Sequence, residues 1–249
     1  RRRRRGGERQ PGRAVGGVLQ LRRRRRTTTR RRTQPHRSRT ATPTPRDTSA
    51  DRRPASGDDG RDALAYLARR YSIGPKHLRE PGPGIDDLRA AVAMALRAPD
   101  HGQLHPFRFV RVLDAQRERL ASLFAADAAR RGHAADEVER ARERAWNGPV
   151  LVALIARVGP VADDVPEREQ WISVGGGLTN FLNALHLMGY GAKALSGASV
   201  RDPDIQAAFC RSGETLVAWI AAGTPARQSQ PKAEDDVDAA LADWESPPA

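Results

Sequence analysis

Hydrophobic residues recur at helical spacing along most of the chain from residue 62 onward. Apolar positions three and four residues apart predict a short first helix through Leu64 and Leu67 and a series of later amphipathic helices. These helices are expected at residues 62–70, 86–96, 114–128, 134–146, 165–188, 203–209 and, weakly, 235–244. The helix at 165–188 is the longest. Trp146, at the end of the fourth helix, could line a pocket, but core packing is the expected role.

Three segments have the hydrophobic pattern of β-strands. Residues 107–113 are rich in the aromatic and β-branched residues that strands favour. Residues 149–156 form a continuous apolar run of strand length bounded by glycines. Residues 216–222 form a second buried strand, which ends at Gly223-Thr224-Pro225. Helices and strands together predict one domain of the α+β class.

The longest predicted helix contains small residues that are unusual inside a helix. Ser173, Gly175, Gly176 and Gly177 lie there, and a glycine in a helix interior is less favourable than an alanine by about 1 kcal/mol. Close approach of another group is the expected reason. That group is a neighbouring helix, which could belong to a second subunit, or a flat ligand over the helix, and both can hold together.

The positive charge of the chain is concentrated in residues 1–60. They contain 20 Arg and 5 acidic residues, a net charge of +15, whereas the whole chain carries +13 and residues 61–249 therefore about −2. This composition predicts a disordered tail. It could bind nucleic acid through phosphates or direct the chain to an organelle. We favour a third interpretation, translated upstream DNA, because the chain begins with Arg and GC-rich DNA encodes arginine runs.

Composition excludes several kinds of site. The single cysteine, Cys210, excludes an intrachain disulfide and a cysteine-rich metal site, and it fits a reducing, cytoplasmic location. The longest apolar run, residues 150–156, is too short to span a membrane, and no secretory signal is found. Metalloprotease, Cys-x-x-Cys, nucleophile-elbow, P-loop and dinucleotide motifs are absent. We therefore expect no catalytic side chain and no metal, and chemistry that a cofactor supplies.

A stiff loop joins the second helix to the first strand. Pro99 and Pro106 fix their own φ angles and move the preceding residues out of the helical region. The loop carries Arg97, His101 and His105, although His105 is not expected to take part in a site. An arginine and a histidine in a rigid loop can bind an anion or a ring.

This loop resembles one of the FMN-dependent nitroreductase family, in particular of its small single-domain NAD(P)H nitroreductase branch. The family pattern R-A-P-D-H-x-x-x-x-P-[WF]-x-F is matched without a gap by Arg97, Ala98, Pro99, Asp100, His101, Pro106, Phe107 and Phe109. Arg69-Arg70 match the arginines of the family's Arg-Arg-Ser helix end, with Tyr71 in place of the serine and Ser72 one residue late.

Three further motifs support the resemblance. Glu169, Gln170, Ser173 and Gly175 match E-Q-x-x-S-x-G. Residues 189–197 are similar to a family turn beside the flavin, with Ala194-Leu195-Ser196 where many relatives have Trp-Arg-Ser. Arg227 follows Gly-Thr-Pro as the basic residue that the family places near the flavin phosphate.

The resemblance implies an α+β fold in which a mainly antiparallel sheet of four or five strands is flanked by helices. It also implies an intertwined homodimer with two FMN sites, each built from both subunits. NAD(P)H would reduce the flavin, and a nitroaromatic, quinone or similar small oxidant would then reoxidise it in a ping-pong reaction. The implied FMN-binding residues are Arg69, Arg70, Tyr71, Ser72, Arg97, His101, Ala194, Leu195, Ser196 and Arg227.

The expected domains are a tail at 1–60, the FMN domain at 61–227 and a polar C-terminal extension at 228–249. Two other functions stay open at this point. The chain could bind flavin without turnover, or, on the evidence of the tail alone, it could be an Arg-rich nucleic-acid-binding protein. Neither a membrane nor a nucleic acid is the expected partner.

Overall fold

The computed structural model of the chain describes residues 57–160, 165–226 and 236–244. The predictions for residues 1–56 of the tail and for Arg227 lie outside these described residues. The described helices are α1 (Gly57–Ala68), α2 (Ile85–Ala95), α3 (Asp114–Arg130), α4 (Ala135–Glu143), α5 (Glu167–Leu187) and α6 (Pro203–Phe209). Helices and strands are interspersed along the chain, and only α3 and α4 follow each other directly among the described α-helices. Helix α1 begins inside the segment predicted to belong to the tail.

The strands form one sheet of five, and every described pair is antiparallel. Strand β5, the longest, pairs with β1, β3 and β4, and β2 pairs with the other side of β3. The strands are β1 (Leu78–Arg79), β2 (Phe107–Val112), β3 (Val150–Ala156), β4 (Gly191–Leu195) and β5 (Thr215–Pro225). The expected α+β fold with a mainly antiparallel sheet is confirmed.

Helices cover both faces of the sheet. Alternate side chains of β3 point to opposite sides of the sheet, so each face presents apolar residues to one layer of helices. Val152 and Leu154 face a hydrophobic cluster that also contains residues of α2 and α5. Leu151, Ala153 and Ile155 face a second cluster with residues of α3 and α4. Full burial of such a side chain contributes about 1.5–3 kcal/mol, so the central strands anchor both helical layers.

An ion pair ties β2 to the turn before β5. The Arg108 guanidinium donates two hydrogen bonds to the Glu214 carboxylate, at 2.8 and 2.6 Å, and a third to the carbonyl of Phe209 at 2.8 Å. The Glu214 side chain is only 7% exposed. Hydrogen bonding from Arg108 lowers the pKa of Glu214 to about 2, so the carboxylate stays charged far into the acid range.

Several local predictions were wrong. Residues 191–195 form strand β4 rather than a turn. The described residues 236–244 contain a turn and no helix, and Trp244 is exposed. Trp146 is 48% exposed rather than packed in the core. No helix among the residues described here has the length and apolarity of a membrane span.

Candidate functional site

The loop between α2 and β2 is held in shape by the side chain of Asp100. Its carboxylate accepts hydrogen bonds from the backbone N–H groups of Leu104, at 3.2 Å, and His105, at 2.8 Å. These bonds support an unusual backbone, since Gly102, Gln103 and His105 all have positive φ. The loop conformation is therefore built by Asp100, not by its arginine.

Helix α5 fixes the position of this loop through the residues of the E-Q-x-x-S-x-G motif. The Ser173 hydroxyl donates a hydrogen bond to the Pro99 carbonyl at 2.6 Å. The His101 Nδ1 lies 2.9 Å from a Glu169 carboxylate oxygen. Gln170 bonds the backbone of Gly159 on the opposite side. Three motif residues thus hold the loops around the first half of α5, and His101 pairs with a carboxylate.

The glycines of α5 accommodate groups from the same chain. A Cβ on Gly177 would lie 2.4 Å from the Phe107 ring, and one on Gly176 would lie 3.1 Å from the Cβ of Ala98. A Cβ on Gly175 would meet nothing within 4 Å. Close approach explains the glycines as expected, but at two of them the approaching group is the loop and the first residue of β2. Only Gly175 has open space for a subunit or a ligand.

Helix α1 docks on the opposite end of α5. The Tyr66 ring stacks on the His186 ring with centroids 4.7 Å apart, and each residue bonds the backbone carbonyl of the other. This contact places Arg69 and Arg70, which follow the helix, beside the end of α5. Arg69 is exposed and Arg70 half-buried, and neither side chain has a hydrogen-bonding or ionic partner among the residues that the structure describes.

The segment after Arg70 runs beside β4. The Ile73 N–H donates a hydrogen bond to the Ala192 carbonyl at 3.1 Å, so the extended stretch with Tyr71 and Ser72 adjoins this strand. Ala194 and Leu195 are the last residues of β4, and exposed Ser196 follows it. The Leu195 side chain packs against the hydrophobic core. A ligand would therefore meet Leu195 through its main chain.

Tyr190, at the turn into β4, is fastened to the start of α2. Its hydroxyl donates a hydrogen bond to Asp87 at 2.8 Å, and the same carboxylate oxygen accepts the Gly84 N–H at 2.9 Å. The bond to Asp87 raises the pKa of Tyr190. Tyr190 is thus held protonated as a link between two elements, and it is unsuited to act as a base.

Within one chain, the predicted site residues form two separate groups. The Arg97 loop contacts α5 at Ser173, whereas α1 contacts it at His186. These positions are thirteen residues apart, which at 1.5 Å per residue is roughly 20 Å along the helix. The structure brings Arg69 and Arg70 together with β4, and Arg97 together with His101, but it leaves the two groups at different ends of α5.

A sequence profile described as "Nitroreductase family" matches residues 67–224. The chain belongs to the nitroreductase family. A Haemophilus influenzae protein named "Putative NAD(P)H nitroreductase" is 29% identical over 164 residues, 66% of this chain and 88% of that protein.

Solved structures share the fold. The nitroreductase-like family protein from Bacillus cereus superposes with a TM-score of 0.61 at 16% identity, over 74% of this chain and 96% of that one. The FMN and NADPH-dependent nitroreductase NfnB from Sphigopyxis sp. strain HMH superposes with a TM-score of 0.57 at 18% identity, over 74% and 99%. The nitroreductase match contains all the predicted site residues except Arg227.

One basic residue near the predicted site residues was not among them. Lys193 lies in β4 beside Ala194, and its side chain is half-buried. The family turn singles out only the three residues that follow Lys193. A short strand of small residues shows no strong periodicity, so the face that Lys193 occupies cannot be predicted from its neighbours in the sequence.

Proposed function

We propose that this protein is an FMN-dependent oxidoreductase that oxidises NAD(P)H and reduces a nitroaromatic, a quinone or a similar small oxidant. The observation that carries the proposal is the pair Arg69-Arg70, positioned by α1 at the family's motif and free of any described acidic partner. The relative from Haemophilus influenzae is named an NAD(P)H nitroreductase, and NfnB is described as an FMN and NADPH-dependent nitroreductase. These names support the choice of cofactor and co-substrate.

The residues present fit the phosphate end of FMN. A guanidinium offers paired, charge-assisted hydrogen bonds to a phosphate dianion. Arg69 and Arg70 would hold it, and Arg227 is proposed as a further contact from outside the described residues. Tyr71, Ser72, Ala194, Leu195 and Ser196 would bind the rest of the molecule, largely through main-chain groups. When bound, FMN supplies hydride and electron transfer in two half-reactions, which is a ping-pong scheme.

Arg97 and His101 would lie near the isoalloxazine ring. Arg97 is exposed and has no ion pair within the described ranges, and its guanidinium carries a positive charge. A fixed positive charge favours reduction of the ring, because reduction adds negative charge. His101 is held by Glu169, so its ring is positioned rather than free. The two residues would tune and orient the cofactor instead of transferring protons.

We further propose a homodimer in which each FMN site draws on both chains. The two groups contact α5 at positions roughly 20 Å apart along the helix, which favours a site that takes its phosphate-binding group from one chain and its ring-binding group from the other. Helix α5 also exposes Trp171 (44%), Ile172 (63%) and Leu187 (49%). Exposed apolar residues on a helix often mark a surface that binds another protein. They support the proposal that a second copy of the chain covers Gly175 and this part of α5.

The dimer is tested by placing a charge on this helix. Ile172→Asp should shift the mass measured by light scattering from dimer to monomer and release FMN, while Met94→Asp, at an exposed apolar position of α2, is the matched control. A variant that remains dimeric and retains its FMN would contradict the composite site.

The central experiment for the proposed function uses the purified full chain. Bound flavin should give absorption bands at about 370 and 450 nm. Anaerobic addition of NADH or NADPH should bleach the band near 450 nm, and an oxidant panel should restore it. A yellow protein that is not bleached would point to the alternative, flavin binding without turnover. A colourless protein that does not bind added FMN would refute the proposed function.

A further inference from the structure

Two basic side chains differ from all the others in the part of the chain that the structure describes. Most described Arg and Lys side chains are exposed to water, and three of the less exposed ones are paired: Arg108, Arg117 and Arg142. Arg70 and Lys193 are half-buried, yet neither has a hydrogen bond or an ion pair with any described residue. A charge withdrawn from water without a partner is unfavourable.

These two residues belong to neighbouring segments. The hydrogen bond from the Ile73 N–H to the Ala192 carbonyl joins the strand that carries Lys193 to the stretch that begins with Arg70. Three residues of extended chain span at most roughly 10 Å, and both side chains are long. Their charged ends can therefore reach the same small group.

The direction of Lys193 follows from the alternation of side chains in β4. Residues 191, 193 and 195 share one face. On that face a Cβ at Gly191 would lie 2.7 Å from the Ile73 side chain, and Leu195 joins the same cluster as Ile73. Lys193 is thus on the face that meets the Arg70 segment. Its partner across the sheet is Ala221, which is buried and offers no acidic group.

We propose that Lys193 and Arg70 together form a two-cation site for one anionic group. Two like charges in a partly buried position repel each other. A dianion between them offsets this repulsion and gives each cation a partner. This assignment rests on the proposed function, in which the anionic group is the phosphate of FMN. Lys193 is then a phosphate-binding residue of the site, placed by β4 beside the arginine pair.

The test compares FMN with riboflavin, which has the same ring and no phosphate. Both are titrated into full-length protein from which bound flavin has been removed, and flavin fluorescence reports the Kd. Lys193→Gln should weaken FMN binding by roughly tenfold to a hundredfold, the effect of losing one charge-assisted hydrogen bond. Riboflavin affinity should change less than about twofold, since only the phosphate contact is lost. The FMN affinity of the variant should also depend less on salt.

Two further variants separate a charge effect from a disturbed strand. Lys193→Arg should restore most of the FMN affinity. Lys76→Gln, at an exposed lysine, should leave it unchanged. Equal weakening of FMN and riboflavin in Lys193→Gln, or no weakening of either, would overturn the assignment. Wild-type protein that binds neither flavin would instead refute the proposed function itself, and the phosphate assignment with it.

Discussion

The contact between α5 and Phe107 allows a quantitative prediction for Gly177→Ala. The added methyl group would lie 2.4, 2.7 and 2.8 Å from three atoms of the Phe107 ring, where ordinary contacts begin at about 3.4 Å. The ring would have to move by roughly 1 Å to restore normal contacts. It is 8% exposed and packs edge-on against Phe109, which stacks on Phe181 at 4.4 Å. Movement of Phe107 therefore disturbs a chain of rings.

The free energy of unfolding changes by two opposing terms. Overpacking of a buried position lowers it by about 1–3 kcal/mol. Replacing a helical glycine by alanine raises it by about 1 kcal/mol. We expect the first term to win, because three ring atoms overlap with the new methyl group. The net loss should reach up to about 2 kcal/mol, which lowers the Tm by as much as roughly 8 °C in a domain of this size.

Urea unfolding, followed by circular dichroism, measures this loss. Gly60→Ala is the matched control, since it lies in α1 and its Cβ would meet nothing within 4 Å. It should keep or slightly raise the stability. The double variant Gly177→Ala/Phe107→Leu should recover part of the loss, with a coupling free energy above about 0.5 kcal/mol. The reasoning is refuted if Gly177→Ala is as stable as Gly60→Ala, or if the two changes are additive.

Three other predictions address charge, cofactor and tail. The Arg108–Glu214 pair should stabilise the fold above about pH 4.5, and this stability should be lost as the pH falls toward 2, because the pKa of Glu214 is lowered to about 2. Glu214→Gln should flatten this part of the acid-unfolding curve. An unchanged curve would contradict the prediction. Arg97→Ala should lower the flavin midpoint potential by some tens of millivolts at about 30 mV per 1.4 kcal/mol, and an unaltered potential in spectroelectrochemistry would limit the loop to a structural role. Deletion of residues 1–56 should preserve flavin content, Tm and reductase activity in side-by-side assays, whereas loss of FMN would show that the tail contributes to the site.

Local sequence signals predicted the central elements well. Strand β3 is predicted by a continuous apolar run and helix α3 by apolar residues at helical spacing, each within a single segment. Both elements begin and end within a residue or two of the expected bounds. Strand β4 was missed because Gly191-Ala192-Lys193-Ala194-Leu195 has small residues and little alternation. Residues 236–244 are not helical, and the exposure of Val237 and Leu241 means that burial of an apolar face does not stabilise a helix there.

The candidate site shows the same division. Motifs indicated Arg69, Arg70, Arg97 and His101, but not their separation along α5, which depends on where α1 docks. The Arg108–Glu214 pair joins residues 106 positions apart, and the contact of Gly177 with Phe107 is also long-range. No local period encodes such pairings. Lys193 is informative only through its burial and its lack of a partner, which are properties of the folded chain.

The placement of the Arg70 group and the Arg97 group at different ends of α5 has a genetic consequence. If each site combines the Arg70 group of one chain with the Arg97 group of the other, then an Arg70→Ala homodimer and an Arg97→Ala homodimer each carry two damaged sites. In a mixed dimer, one site receives both substitutions and the other receives none. Equal co-expression of two defective chains should therefore restore function at about a quarter of all sites. Two inactive alleles would complement each other within one cell.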